Sequence, residues 1–258
     1  MHLEHVPLLD VQRRLYDLPR GGERFRRYVA TLTGGGDDLE LPLTLMNPMG
    51  KAHVPALLDA LLDAGAEDEG AAAVAVAAAR LAAIDGHLRT AIVVADDAAG
   101  GWTNRYLTET RHRFDPKNAE VKRGWAVALA WTGDPVPARR EVRRAVLAAI
   151  YRTLHVRRFG WPRTLGEMML QEGRAAVFAG DGAPTLDGEE LSRVRAIVDR
   201  HRSRRHFPTC FACLYGDAAA ESVGYDPLGL PARAGYALAR AEARRAGSSP
   251  EEALAGDG

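Results

Sequence analysis

Cysteine is nearly absent: Cys210 and Cys213 are the only two in 258 residues, too few for a disulfide framework. Lysine is almost as scarce. Lys51, Lys117 and Lys122 are the only lysines among 34 basic residues, so positive charge is carried by 31 arginines, a bias that GC-rich coding produces as readily as function. No apolar run approaches the roughly 20 residues that a bilayer crossing needs, and no membrane association is expected. The longest weakly polar stretch, Ala71 to Ala79, is mostly alanine. Residues 1–14 are charged and lack the apolar core of an export signal, so the expected compartment is cytoplasmic. Net charge is absent too, with 34 acids against 34 bases. What is present, 47% hydrophobic and 26% charged residues, belongs to an ordinary globular protein and excludes disordered and collagen-like classes.

The charges are unevenly spread. Eight acids and one lysine lie between Gly36 and Gly70. Eight arginines and one glutamate lie between Arg139 and Arg163, and Ser192 to His206 adds six more arginines. Such blocks can read phosphates, which makes nucleic acid a candidate partner; they can equally solvate helix faces and pair with the acidic half.

Hydrophobic periodicity predicts a mainly helical α+β protein with a small mixed β-sheet packed by long helices. The alternation Leu39, Leu41, Leu43, Leu45 predicts a strand, at an edge because of Pro42. Thr90 to Ala95 is β-branched and apolar throughout, as a strand covered on both faces is. Trp102 to Thr110 alternates and predicts a polar edge strand. Trp125 to Trp131 alternates tryptophan and aliphatic residues with alanine and predicts an inner strand. Helices are expected over 11–18, 23–32, from an Asn47 N-cap to about Ala64, 67–84, 138–155, 165–179 and 188–201. Cys210 to Gly216 reads as a loop. With no repeat and no clear linker, one globular domain over residues 1–246 is expected, followed by a disordered polar tail over 247–258.

One carboxylate stands out. Thr164 and Glu167 have capping-box spacing, which makes Glu167 a cap. Leu165, Met168, Met169, Ala175, Ala176 and Ala179 form an apolar stripe, and Glu172 falls inside it. A buried carboxylate is costly unless paired, so Glu172 needs a partner. The preceding helix carries Ala148, Arg152 and His155 on one flank, with Tyr151 nearby. Arg152 is the first candidate for a charge-assisted pair with Glu172, and His155 the next.

The order of buried strand, Gly-Gly segment, polar strand, inner strand, long helix and a helix bearing Glu172-Gly173-Arg174-Ala175 resembles the zincin metallopeptidases. It is closest to gluzincin-like forms whose third zinc ligand is a glutamate in an E-G-x-A setting. The resemblance runs from about Ala91 to Gly180 and departs at the H-E-x-x-H motif, whose positions fall on Ala148, Ala149 and Arg152. Only Glu172 carries over, as a former ligand position. What the resemblance implies is a pseudo-metallopeptidase scaffold with its metal lost and an Arg152–Glu172 contact in its place.

Asp96, Asp97, Gly100, Gly101, Trp102, Asn104, Arg105 and Tyr106 follow the buried strand. Strand ends commonly carry sites, so this segment can line a pocket; Asp and Gly also serve turns for backbone reasons alone. His201, His206, Cys210 and Cys213 supply four zinc-ligand types within thirteen residues, a possible metal site without standard spacing. The expected function is a pocket that binds a peptide or small molecule through Glu172, Arg152, Tyr151, His155 and the Asp96–Tyr106 segment, without peptidase activity. The alternatives are an arginine-rich nucleic-acid-binding protein and a metalloenzyme using the His201–Cys213 group. No cofactor is expected apart from zinc at the cysteine segment.

Overall fold

The computed structural model describes residues 1–98, 103–180 and 186–256. In chain order the elements are β1 (His2–His5), α1 (Leu9–Leu15), α2 (Gly22–Leu32), α3 (His53–Asp63), α4 (Ala66–Arg80), β2 (His87–Ala95), α5 (Arg105–Phe114), α6 (Ala119–Lys122) and β3 (Trp125–Trp131). They continue with α7 (Arg139–Phe159), α8 (Leu165–Phe178), α9 (Gly188–Val198), a 3-10 turn (Asp199–His201), α10 (Phe207–Tyr215), α11 (Asp217–Glu221), α12 (Ala234–Arg245) and α13 (Pro250–Ala255). The protein is thus mainly helical α+β. Among the described residues, no helix is long and apolar enough to cross a membrane. The chain divides into two compact units, 1–107 with 119–150, and 108–118 with 151–258.

The first unit holds the sheet, in the order β1-β2-β3. Every pairing is parallel, so the expected mixed sheet is corrected to a parallel one. β2 is central and is buried from Thr90 to Ala95, as its β-branched composition requires. In β3, Trp125, Val127 and Trp131 are buried on one face and Ala126, Ala128 and Ala130 on the other. α4 packs on β1 and β2, where its one glycine and its alanines permit close approach. A Cβ on Gly70 would stand only 2.6 Å from the His5 ring.

β1 pairs with β2 only as far as Thr90, yet β2 continues to Ala95. The exposed edge is closed by one side chain. The Gln12 amide donates to the Ile92 carbonyl at 2.9 Å and accepts from the Val94 N–H at 2.9 Å, standing in for a missing strand residue. Gln12 is fully buried.

Two expected strands are not strands. Residues 39–45 form turns, because Pro42 supplies no N–H and the N–H groups of Glu40 and Leu41 both bond to the Leu32 carbonyl at the end of α2. Leu43 is buried and Leu39, Leu41 and Leu45 are half-buried while Glu40 and Thr44 are exposed, so the alternation marks inward-facing leucines without a strand. The span 102–110 belongs instead to α5 from Arg105 onward. Asn104 accepts from the Leu107 N–H at 3.0 Å as a helix cap does, and Glu109 pairs with Arg113 four residues on. Nor does Asn47 start a helix; α3 begins at His53.

In the second unit α8 has its capping box, and α9 has another built from Asp187 and Glu190. The loop expected at Cys210–Gly216 is corrected to the helix α10, in which Pro208 sits in the first turn where a missing N–H costs nothing. Of the tail expected over 247–258, residues 250–255 are helical and 257–258 lie outside the described residues. Ser249 and Glu252 cap α13 reciprocally, and Leu254 is buried.

Gln12→Leu is expected to lower stability by about 2–4 kcal/mol in urea unfolding, since it strands a carbonyl and an N–H inside the sheet. A loss below about 0.5 kcal/mol would mean that the edge of β2 is satisfied some other way.

Candidate functional site

The carboxyl ends of β2 and β3 lie side by side, Ala95 opposite Trp131. Chain direction therefore places Asp96 and Asp97 beside Thr132 and Gly133. Asp96 is buried and accepts four hydrogen bonds. They come from Asn47 Nδ2 at 2.7 Å, His53 Nε2 at 2.8 Å, Thr132 Oγ1 at 2.9 Å and the Ala98 N–H at 3.3 Å. Burial pushes its pKa up, but the bonds from His53, Asn47 and Thr132 outweigh this and hold it below the ordinary carboxylate value.

The partners of Asp96 are themselves fixed. Asn47 accepts from the Met49 N–H at 3.0 Å and so closes its own turn, while the Tyr16 hydroxyl bonds to its carbonyl. His53 opens α3, and its side chain is 29% exposed. With Nε2 on Asp96, its Nδ1 meets no partner among the described residues. Asp97 accepts from the Gly133 N–H at 2.7 Å. Arg105 forms a two-pronged pair with Asp134 at 2.5 and 2.7 Å, and lies 3.9 Å from Asp97.

Of the residues singled out in the sequence, Asp96, Asp97 and Arg105 are thus brought together. Asn104 caps α5 and Tyr106 lies in its first turn. Trp102, Gly100 and Gly101 lie outside the described residues. Asn47, His53, Thr132 and Asp134 were missed as site residues. The Asn47–Lys51 segment did carry a signal, since Asn-Pro-Met-Gly-Lys reads as a ligand loop as well as a cap.

The Glu172 group belongs to the second unit. Glu172 is 2% exposed. Arg152 Nε donates to its Oε1 at 2.7 Å and Nη2 to Oε2 at 2.8 Å, a bidentate pair. Arg113 Nη1 reaches Oε2 at 3.4 Å and also donates to the Tyr236 hydroxyl at 2.9 Å. Its Nη2 lies 3.1 Å from Glu109, whose other contacts include the Tyr215 hydroxyl at 3.4 Å and Arg233 at 3.9 Å. Burial raises the pKa of Glu172, but Arg152 and Arg113 overcome this and keep it ionised. The network ties together residues of α5, α7, α8, α10 and α12, and both Glu172 oxygens are occupied.

Tyr151 and His155 do not join it by hydrogen bonds. The Tyr151 hydroxyl donates to the Pro250 carbonyl at 3.2 Å and so anchors α13. His155 is buried beside the Tyr151 and Phe159 rings, and its Nδ1 has no hydrogen-bond partner among the described residues.

His201, His206, Cys210 and Cys213 are not assembled into a ligand set. Among the described residues no group of three or more His, Cys, Asp or Glu side chains is placed to hold a metal ion. His206 bonds to Thr209 at 2.9 Å and the Cys210 thiol donates to the Arg204 carbonyl at 3.4 Å. Burial pushes Cys210 up to about 11 and Cys213, with Cys210 adding to it, up to about 12, so both remain thiols at neutral pH.

No family model, curated protein or solved structure matches the chain.

Glu172→Ala, which leaves Arg152 and Arg113 without their carboxylate, is expected to cost about 3–5 kcal/mol in chemical denaturation. An unchanged midpoint would mean that the network contributes nothing. His155 gives a second test. Burial, reinforced by Arg174 and opposed by Glu172, pushes its pKa from 6.5 to about 4. Between those values the unfolded chain binds a proton that the folded chain refuses, so stability falls as pH drops from about 6.5 to about 4 and levels off below. The full span is on the order of 3 kcal/mol. Urea midpoints compared at about pH 7 and pH 5 should converge for His155→Leu relative to the parent; an identical pH dependence in both proteins contradicts the assignment.

Proposed function

We propose that this protein binds a small polar molecule at the carboxyl ends of β2 and β3, and that His53 accepts a proton or a hydrogen bond from it. One observation carries this: a buried aspartate, Asp96, fixes Nε2 of a partly exposed imidazole and leaves Nδ1 without a hydrogen-bond partner among the described residues. In parallel sheets, ligands gather beyond the carboxyl ends of the strands. A carboxylate that orients an imidazole sets its tautomer, so the opposite nitrogen presents a lone pair. Such a nitrogen serves as a general base when the bound molecule carries a weakly acidic O–H. Asp97, Arg105 and Asp134 supply charge of both signs beside it, which favours a ligand with donors and acceptors over an apolar one.

The anchor thereby moves from Glu172 to His53. On the resemblance to zincins, Arg152 occupies the place of a lost cation; we assign that pair to stabilising α7 against α8 rather than to holding a ligand.

Ring-nitrogen NMR on histidine-labelled protein tests the proposal. His53 is expected as the Nε2–H tautomer. In a titration with a panel of hydroxy acids, polyols and short peptides at millimolar concentration, at least one small molecule should shift Nδ1 and raise the melting temperature of the parent. The same compound should leave His53→Gln unaffected. A His53 found as the Nδ1–H tautomer, or ligands that stabilise parent and His53→Gln equally, would overturn it, and a response confined to the peptides would replace the small molecule by an extended chain.

A further inference from the structure

Each of the two arginine blocks holds arginines paired with a carboxylate and arginines that form no ion pair with a described residue. In the first, Arg139 and Arg143 both pair with Glu69, and Arg152 with Glu172. In the second, Arg195 pairs with Glu242, and Arg202 with both Glu242 and Asp199. Arg200, Arg204 and Arg205 are exposed and form no ion pair with any described residue, and the same holds for Arg163 just before α8.

These four are held on one framework. The Leu165 N–H donates to the Arg204 carbonyl at 3.0 Å and the Gly166 N–H to the Arg202 carbonyl at 2.9 Å, which fastens the turn after α9 to the first turn of α8. The Arg204 N–H closes the turn on the His201 carbonyl at 2.8 Å. A Cβ on Gly166 would stand 3.3 Å from the Arg202 carbonyl oxygen, so the approach is close. Glu167, the acid nearest in sequence to Arg163, is occupied by the N–H groups of Arg163 and Thr164. Arg205 acts on Glu167 only through its field. The outcome is a rigid backbone that presents guanidinium groups with no carboxylate bound to them.

We infer that the turn Arg200–His206, with Arg163 beside it, is a surface for the phosphate backbone of nucleic acid. Guanidinium groups donate bidentately to phosphate oxygens, and a fixed turn loses little conformational freedom on binding. Among the described residues the exposed large apolar side chains are Phe25, Val29, Val76, Val136, Phe159 and Leu170, and none lies in this turn. A peptide or a bilayer thus finds no hydrophobic anchor there, whereas phosphate contacts need only charge. The surface belongs to the second unit and the strand-end site proposed above to the first, and neither proposal depends on the other.

Fluorescence anisotropy with a labelled mixed-sequence DNA duplex and a single-stranded RNA of equal length, across a potassium chloride series, provides the test. Four guanidinium contacts predict a log–log salt slope of about −3.6 on the duplex and about −2.8 on the single strand for the intact chain. The triple variant Arg200→Glu/Arg204→Glu/Arg205→Glu should lose at least about tenfold in affinity at low salt. Arg20→Glu/Arg26→Glu/Arg27→Glu makes the same change in net charge on exposed arginines around α2 and should bind as the parent does. Circular dichroism checks folding, and Arg200→Gln/Arg204→Gln/Arg205→Gln, which only neutralises the turn, should flatten the slope to about −1. No binding at low salt, equal weakening by the two charge-reversed triples, or tighter binding of a labelled polyglutamate peptide than of either nucleic acid overturns the assignment.

Discussion

Charge removed from water has to be met by opposite charge or by hydrogen-bond donors, and that requirement shapes both units of this protein. Glu172 is the severest case, because it sits in a stripe of leucine, methionine and alanine that packs inward. Its two oxygens are taken by Arg152 and Arg113, and Arg113 is in turn held by Glu109 and Tyr236. No member can be removed without stranding another. Chains of such bonds fix the mutual placement of α5, α7, α8, α10 and α12 more specifically than apolar contact does, since guanidinium and carboxylate meet in few orientations.

The same requirement accounts for the arginine content of a chain with no net charge. Glu69 is 5% exposed and collects Arg139 and Arg143, and Glu242 collects Arg195 and Arg202. Arginine suits this work because its fork reaches two acceptors while its stem covers apolar surface. Basic blocks that look alike in sequence thereby divide into arginines consumed by folding and arginines left at the surface, and only the second kind retains charge for an external partner.

What the sequence made legible follows the range of the interactions. β2, β3, the helices α7, α8 and α9, the capping box of α8 and the Arg152–Glu172 contact all rest on spacing within one element or between neighbours in the chain. β1 was not legible. Its four residues, His-Leu-Glu-His, are short and polar, and pair with a strand about eighty positions later. Leu39–Leu45 and Trp102–Thr110 misled because period-two alternation survives in a turn and in a helix start when apolar side chains happen to face inward. Asp96 was recognisable as a candidate, but its partners Asn47, His53 and Thr132 come from segments that only the folded sheet brings together.

Asp96 and Glu172 solve one physical problem with different leftovers. Glu172 is met chiefly by arginines, which carry donors alone; once these are satisfied nothing remains with which to engage a ligand's proton. Asp96 is met by an amide, a hydroxyl, an N–H and one imidazole. Imidazole alone among these has a second nitrogen whose character is set by the first: a donor bond at Nε2 makes Nδ1 an acceptor. Burial of a carboxylate therefore does not distinguish a structural acid from a functional one, and neither does its degree of pairing. The discriminating feature is whether the partner keeps chemistry in reserve, and at the ends of β2 and β3 the side chain placed to do so is His53.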